Sequence, residues 1–270
     1  MPHPIIANYQ EPRQKIRELA NPECPLRVLF LEGGENYGKS YLIQCVSPEW
    51  RAHSKFVVVE LDKRRDIPSP LEILVEISSA LGPENFPHLE AEVRRAQQRR
   101  LQANANNNTI SGTNIRVEVL AQETDDDRLI TSIQLTSAFA KDLENLRDVL
   151  GALILVFDGY DHRLMNLVDR WFDRSLIRTL SNISYVRLIV CGRDLPMTTV
   201  KARAAPDTSF QLSLAGVTEE GDWLPVVAAL RRRLPGEAIE EKKAFLNGLI
   251  FAHEGAPGLI MRRIKMLEVE

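Results

Sequence analysis

An apolar run that turns into two glycines, followed by a third glycine and then Lys-Ser, constrains this chain more than any other feature. The stretch is LFLEGGENYGKSYLI, Leu29 to Ile43. Arg27 to Leu31 has the continuous apolar character of a buried parallel strand. Ser40 to Val46 has helical spacing. Between them, Gly33 to Ser40 reads GGENYGKS and fits G-x-x-x-x-G-K-[ST] without a mismatch. A strand before that spacing and a helix after it mark a phosphate-binding loop. Gly33 and Gly38 permit the bends that turn consecutive N–H groups inward. The N-terminus of the following helix completes an anion cradle. The competing explanation is a chance match in a glycine-rich turn, but the chain has only 14 glycines in 270 residues.

The loop therefore assigns nucleotide contacts to Gly33, Gly34, Glu35, Asn36, Tyr37, Gly38, Lys39, Ser40 and Tyr41. Lys39 is expected to reach the outer phosphates and the Ser40 hydroxyl to ligate Mg²⁺. Such a loop requires a second element, an apolar strand ending in an acid that holds the metal. ALILVFDGYD supplies it, with Asp158 at the strand end as second metal residue. Asp161, three residues on, is placed to polarise the attacking water. The alternative for Asp158 is a turn or helix-cap residue. A third strand, VRLIVCGRD, ends in Arg193, placed to sense the γ-phosphate; its alternative is a surface ion pair with Asp194. Lys39, Asp161 and Arg193 are the catalytic candidates, with ATP or ADP and Mg²⁺ as cofactors.

The rest of the chain reads as alternating strand and helix, then helices only. Pro12 to Ala20 suggests a short helix, and Lys55 to Leu61 a second β-branched strand. Pro70 to Leu81 and His88 to Gln102 suggest helices. ANANNNTISGTN, Ala103 to Asn114, reads as a linker. Ile115, Val117 and Val119 alternate like a half-exposed strand, and ETDDD at Glu123 to Asp127 reads as an acidic turn. Phe139, Leu143, Leu146 and Leu150 mark one helix face. Leu164 to Leu180 suggests another helix and Phe210 to Leu214 a last strand. This order predicts an α/β fold, a parallel sheet with helices on both faces. The expected division is a lead-in at 1–26, a core at 27–216 with an insertion at about 103–133, and a helical subdomain at 217–270.

Composition narrows the class. The chain is 44% hydrophobic and 26% charged, ordinary for a soluble protein, and its net charge of −3 gives no bulk basic field for nucleic acid. The three cysteines, Cys24, Cys45 and Cys191, form no CxxC pair and read as thiols in a reducing, cytoplasmic setting. No apolar run approaches the ~20 residues of a membrane span. MPHPIIANYQEPRQ has no charged start followed by an apolar core, so it does not read as a secretory signal.

Taken together, the motifs resemble those of the STAND NTPases, an AAA+-related P-loop group, and the NACHT and NB-ARC branches above all. LILVFDGYDHR is similar to the NACHT acidic strand at Asp158, Gly159 and Asp161, with His162 where a second acid is common. VRLIVCGRD is similar to the family strand ending in arginine, matched by Arg193. HEGAPGLIMRRI resembles the G-x-P motif of the helical subdomain at Gly255 and Pro257, and the resemblance implies that Pro257 packs against the base. NYQEPRQKIREL is only loosely similar to the segment before the loop. The resemblance implies a three-layer α/β/α P-loop fold with a five-stranded parallel sheet. It also implies a switch between ADP-closed and ATP-open forms, slow hydrolysis, separate effector or sensor partners, and nucleotide-dependent self-association.

Two other readings compete with the signalling or defence switch. One is an AAA+-like ATPase of DNA transposition or initiation, supported by EVRRAQQRR at Glu92 to Arg100 and RRR at Arg231 to Arg233. Basic side chains of this kind can track phosphates, but a charge run is more often a solvated helix face, and no aromatics interleave with the arginines. The other is a scaffold that holds ADP without turnover, favoured by His162. A small-molecule kinase is disfavoured because nothing resembles an acceptor lid. Arg170, Arg174 and Arg178 are candidates for an arginine acting in trans, and helix-face ion pairing accounts for them equally well.

Overall fold

The computed structural model describes residues 9–21, 23–51, 54–61, 69–107, 125–161, 171–193, 195, 208–229, 234–236 and 238–266. Its frame is a five-stranded sheet in the order β2-β3-β4-β1-β5, with every pairing parallel. The strands are β1 (Val28–Gly33), β2 (Lys55–Glu60), β3 (Leu153–Tyr160), β4 (Val186–Gly192) and β5 (Ser209–Leu214). The phosphate-loop strand β1 lies inside the sheet, between β4 and β5.

The period of two along each strand decides which layer each side chain joins. Val28, Phe30, Leu155, Phe157, Leu188 and Val190 face one layer. That layer contains α3 (Pro70–Leu81), α4 (Pro87–Asn107) and α5 (Asp125–Asn145), and beyond the short α6 (Arg147–Leu150) a π-helical turn at Phe172–Ile177 leading into α7 (Arg178–Ser181). Leu29, Leu31, Ile154, Val156, Ile189 and Cys191 face the other layer. It contains α1 (Gln10–Ala20), α2 (Lys39–Arg51), α8 (Leu224–Ala229), α9 (Ile239–Ala252) and α10 (Pro257–Met266). The result is the expected three-layer α/β/α fold. The segment expected as a lead-in contributes to the core itself, with Ile16 and Leu19 of α1 fully buried.

Two local readings differ from the structure. Residues 103–107, expected as linker, continue α4, and the acidic run expected as a turn opens α5 at Asp125. Alanine favours helix, and carboxylates in a first turn meet the positive end of the helix dipole, so both stretches can be helical despite their loop-like composition. The expected strand at Ile115, Val117 and Val119 lies outside the described residues, as do His162, Arg170, Asp194 and Arg231 to Arg233. The start of α4 is held from across the layer. Buried Asp142 of α5 accepts from the amides of His88 and Leu89 at 3.2 and 2.8 Å, and its Oδ1 lies 2.6 Å from His88 Nδ1.

Candidate functional site at the carboxyl ends of the strands

Parallel strands deliver their carboxyl ends to one edge, and each motif identified in the sequence emerges there. β1 runs into the loop Gly34–Gly38, and α2 begins at Lys39. Asn36 and Gly38 both have left-handed backbone, with φ of 65° and 84°. Such a conformation lets neighbouring amides converge on one point, the property of an anion nest. Gly34 has the Tyr37 ring against it, so a Cβ there would lie 2.3 Å from a ring carbon.

Lys39 does not project from the loop. Its ammonium donates to the carbonyls of Gly33 and Gly34 at 2.5 and 2.8 Å. Desolvation lowers the Lys39 pKa; Cys191 and the Asp158 carboxylate oppose that shift, Arg193 reinforces it and Glu35 opposes it. Asp158, Arg193 and Glu35 therefore all lie near enough to act on Lys39. Wholly buried Cys191 stays a thiol, its pKa pushed well up by burial.

Asp158 sits within β3 rather than at its end. Its carbonyl accepts from Leu61 N–H at 2.7 Å, and the ladder to β4 then slips at a bulge. Gly159 takes φ of 82°, and Tyr160 re-enters the register opposite Gly192. A bulge of this kind re-aims the side chains beside it. Asp161 follows directly, half-buried. Arg193 leaves β4 next to this bulge, its amide donating to the Tyr160 carbonyl at 3.3 Å. Its guanidinium pairs with Glu35 of the loop at 3.2 Å. That partner lies across 158 residues of sequence, while Asp194, the alternative partner read from the sequence, lies outside the described residues. Ser40 is exposed on the first turn of α2, and Tyr41 is half-buried, its phenol pKa raised by burial.

The C-terminal helices reach the same loop through the G-x-P stretch. Gly255, at φ of 70°, lies so close to Val217 that a Cβ would meet its backbone at 2.6 Å, and Val217 N–H donates to the Gly255 carbonyl at 2.8 Å. Buried Pro257 opens α10, and the amide of Gly258 then donates to the Asn36 carbonyl at 2.8 Å. Arg262 donates to Asn36 Oδ1 at 3.4 Å. On the other side, the Tyr9 hydroxyl donates to the Tyr37 carbonyl at 2.7 Å and lies 3.2 Å from the Ala215 carbonyl. Burial raises the Tyr9 phenol far above its usual range, so it remains a donor. Tyr9, Gly258 and Arg262 carried no motif in the sequence. A glycine in the first turn of a helix, just after proline, was the one signal that pointed to a close backbone approach.

Solved structures share this fold. The Orc1 protein of Aeropyrum pernix, solved in complex with DNA, is 15% identical and superimposes with a TM-score of 0.58 over 98% of this chain and 61% of that one. Cdc6p from Pyrobaculum aerophilum is 11% identical, with a TM-score of 0.52 over 99% of this chain and 63% of that one. The chain has their fold. It spans about three-fifths of the length of these Orc1 and Cdc6 chains. No protein-family model and no curated protein matches the sequence. The likeness is one of fold, and it does not single out the STAND branch.

The basic helix does not behave as an open cationic face. Arg94 pairs with Glu90 at 2.5 Å, and Arg95 and Arg99 both engage Glu92, at 3.0 and 3.1 Å. No helix among the described residues is long and apolar enough to cross a membrane.

Proposed function

We propose that the chain is an ATP-binding, Mg²⁺-dependent ATPase module of the AAA+ kind. The observation that carries this reading is the convergence of the Gly33–Ser40 loop, Asp158 and Arg193 at one edge of the sheet. The loop amides bind the phosphates, and Lys39 swings from the Gly33 and Gly34 carbonyls to the outer ones. The metal residues fit a hard cation, since the Ser40 hydroxyl and the Asp158 carboxylate offer oxygen donors at the carboxyl edge of the sheet, and Asp158 acts on Lys39 beside Ser40. Held by Ser40 and Asp158, a bound Mg²⁺ would supply neutralisation of phosphate charge. Asp161 orients water, Arg193 contacts the terminal phosphate, and Pro257 packs against the base.

For the work this module drives, the fold likeness to an Orc1 protein solved with DNA supports an initiation-type, DNA-directed assembly ahead of a signalling switch. The switch reading stays second because the Gly255–Gly258 segment ties the helical subdomain to the loop, a mechanical route from nucleotide to partner. One titration tests both. ATP turnover is measured with Mg²⁺, with and without duplex DNA at low salt. DNA-stimulated turnover supports the first reading. Binding of ATP without any DNA effect supports the switch, and no nucleotide binding overturns both.

A further inference from the structure

Glu35 is the one acidic residue in GGENYGKS. A carboxylate in a phosphate cradle repels the ligand the cradle is shaped for, so its placement calls for a reason. The structure supplies one. Glu35 Oε2 engages Arg193 Nη1 at 3.2 Å, and both charges act on Lys39. The backbone at Arg193 is held, because its amide bonds to the Tyr160 carbonyl at 3.3 Å and a Cβ on the preceding Gly192 would lie only 2.5 Å from that oxygen. From there the guanidinium reaches the loop through Glu35, where it can exchange one anion for another.

We propose that Glu35 sets the preference of the site between triphosphate and diphosphate, by holding the Arg193 guanidinium that a terminal phosphate must take over. This rests on the reading of the loop as a nucleotide site. The carboxylate mimics a phosphate oxygen set, and a γ-phosphate with greater charge displaces it. A diphosphate, ending short of Arg193, leaves the pair intact. Both side chains are about half or more exposed, at 52% and 68%, so the pair is displaceable rather than a lock. An exposed pair of this kind changes an equilibrium constant by up to about fivefold.

The test is a calorimetric titration of the whole chain with Mg²⁺ and either ADP or a non-hydrolysable ATP analogue. Wild type, Glu35→Gln, Arg193→Gln and the double variant are compared. The expected result is that Glu35→Gln raises the triphosphate-over-diphosphate preference by about threefold to fivefold and that Arg193→Gln removes this gain. An equal gain for both nucleotides overturns the inference, since that is only lost repulsion. A gain that persists without Arg193 overturns it as well. No binding of either nucleotide by the wild type overturns the loop reading itself and the inference with it.

Discussion

The amide of Gly258 donates to the carbonyl of Asn36 across 2.8 Å, so the first turn of α10 rests directly on the phosphate loop. No side chain fits between them, because a Cβ on Gly258 would lie 2.7 Å from that carbonyl oxygen and 3.1 Å from Asn36 Cα. Both neighbours are backbone, and Asn36 is already in left-handed conformation. Gly258→Ala therefore forces α10 off the loop, with an expected loss of about 1–3 kcal/mol. Denaturant unfolding measures it, and the stabilisation gained from ADP should shrink in the same variant. Gly248→Ala is the control. It lies in α9 with nothing within 4 Å of its Cβ position, and should stabilise by about 0.5–1 kcal/mol.

Lys39 now bonds to two loop carbonyls, so its removal disturbs the loop as well as the ligand. Lys39→Ala is expected to lower nucleotide affinity at least tenfold, since a hydrogen bond to a charged group is worth about 1.5–3 kcal/mol. An affinity within about threefold of wild type would refute the loop assignment. Asp158→Ala should leave binding but flatten its dependence on Mg²⁺ in a metal titration.

Tyr9 ties the segment before α1 to the loop and lies beside the exit of β5. Tyr9→Phe keeps the ring, which is only 7% exposed, and deletes the hydroxyl. The Tyr37 carbonyl then lacks its donor, at a cost of about 1 kcal/mol. Fluorescence-monitored binding should show a loss of several-fold in nucleotide affinity, while unfolding midpoints fall only slightly. A full loss of stability with unchanged affinity would make Tyr9 a packing residue alone.

β1 to β4 were legible because each is a short apolar run bounded by polar residues or glycine, and β5 because its apolar residues alternate with polar ones. Expected and observed bounds differ by a few residues at most, as at 152–157 against β3 at Leu153–Tyr160. That one difference has a cause. The strand continues through Asp158 and Gly159 as a bulge, and a bulge leaves no trace in hydropathy. The site was legible where a covalent spacing carries it, as in Gly33 to Ser40. It was not where contact is made between distant segments. Nothing near Tyr9 announces that its hydroxyl meets Tyr37, and nothing in Glu35 or Arg193 alone announces their pairing. Asp125 to Asp127, read as part of an acidic turn, open α5 instead, because the same carboxylates serve turns and helix starts and only the long apolar face behind Asp125 decides between them.

Arg95 and Arg99 offer a direct check on the DNA-directed reading. Both pair with Glu92, whose side chain is only 12% exposed, so they satisfy an acid of their own helix. Arg99 also donates to Gln134 of α5 at 3.1 Å, which joins the two long helices. Replacing both with Gln should cost up to about 1 kcal/mol per exposed pair. If these arginines instead tracked phosphates, losing two contacts would make the logarithmic salt dependence of DNA affinity shallower by about 1.8. The internal pairing predicts no such change. Salt titrations of duplex binding by the double variant and the wild type should run parallel, and a shallower slope would assign this helix to the nucleic-acid surface.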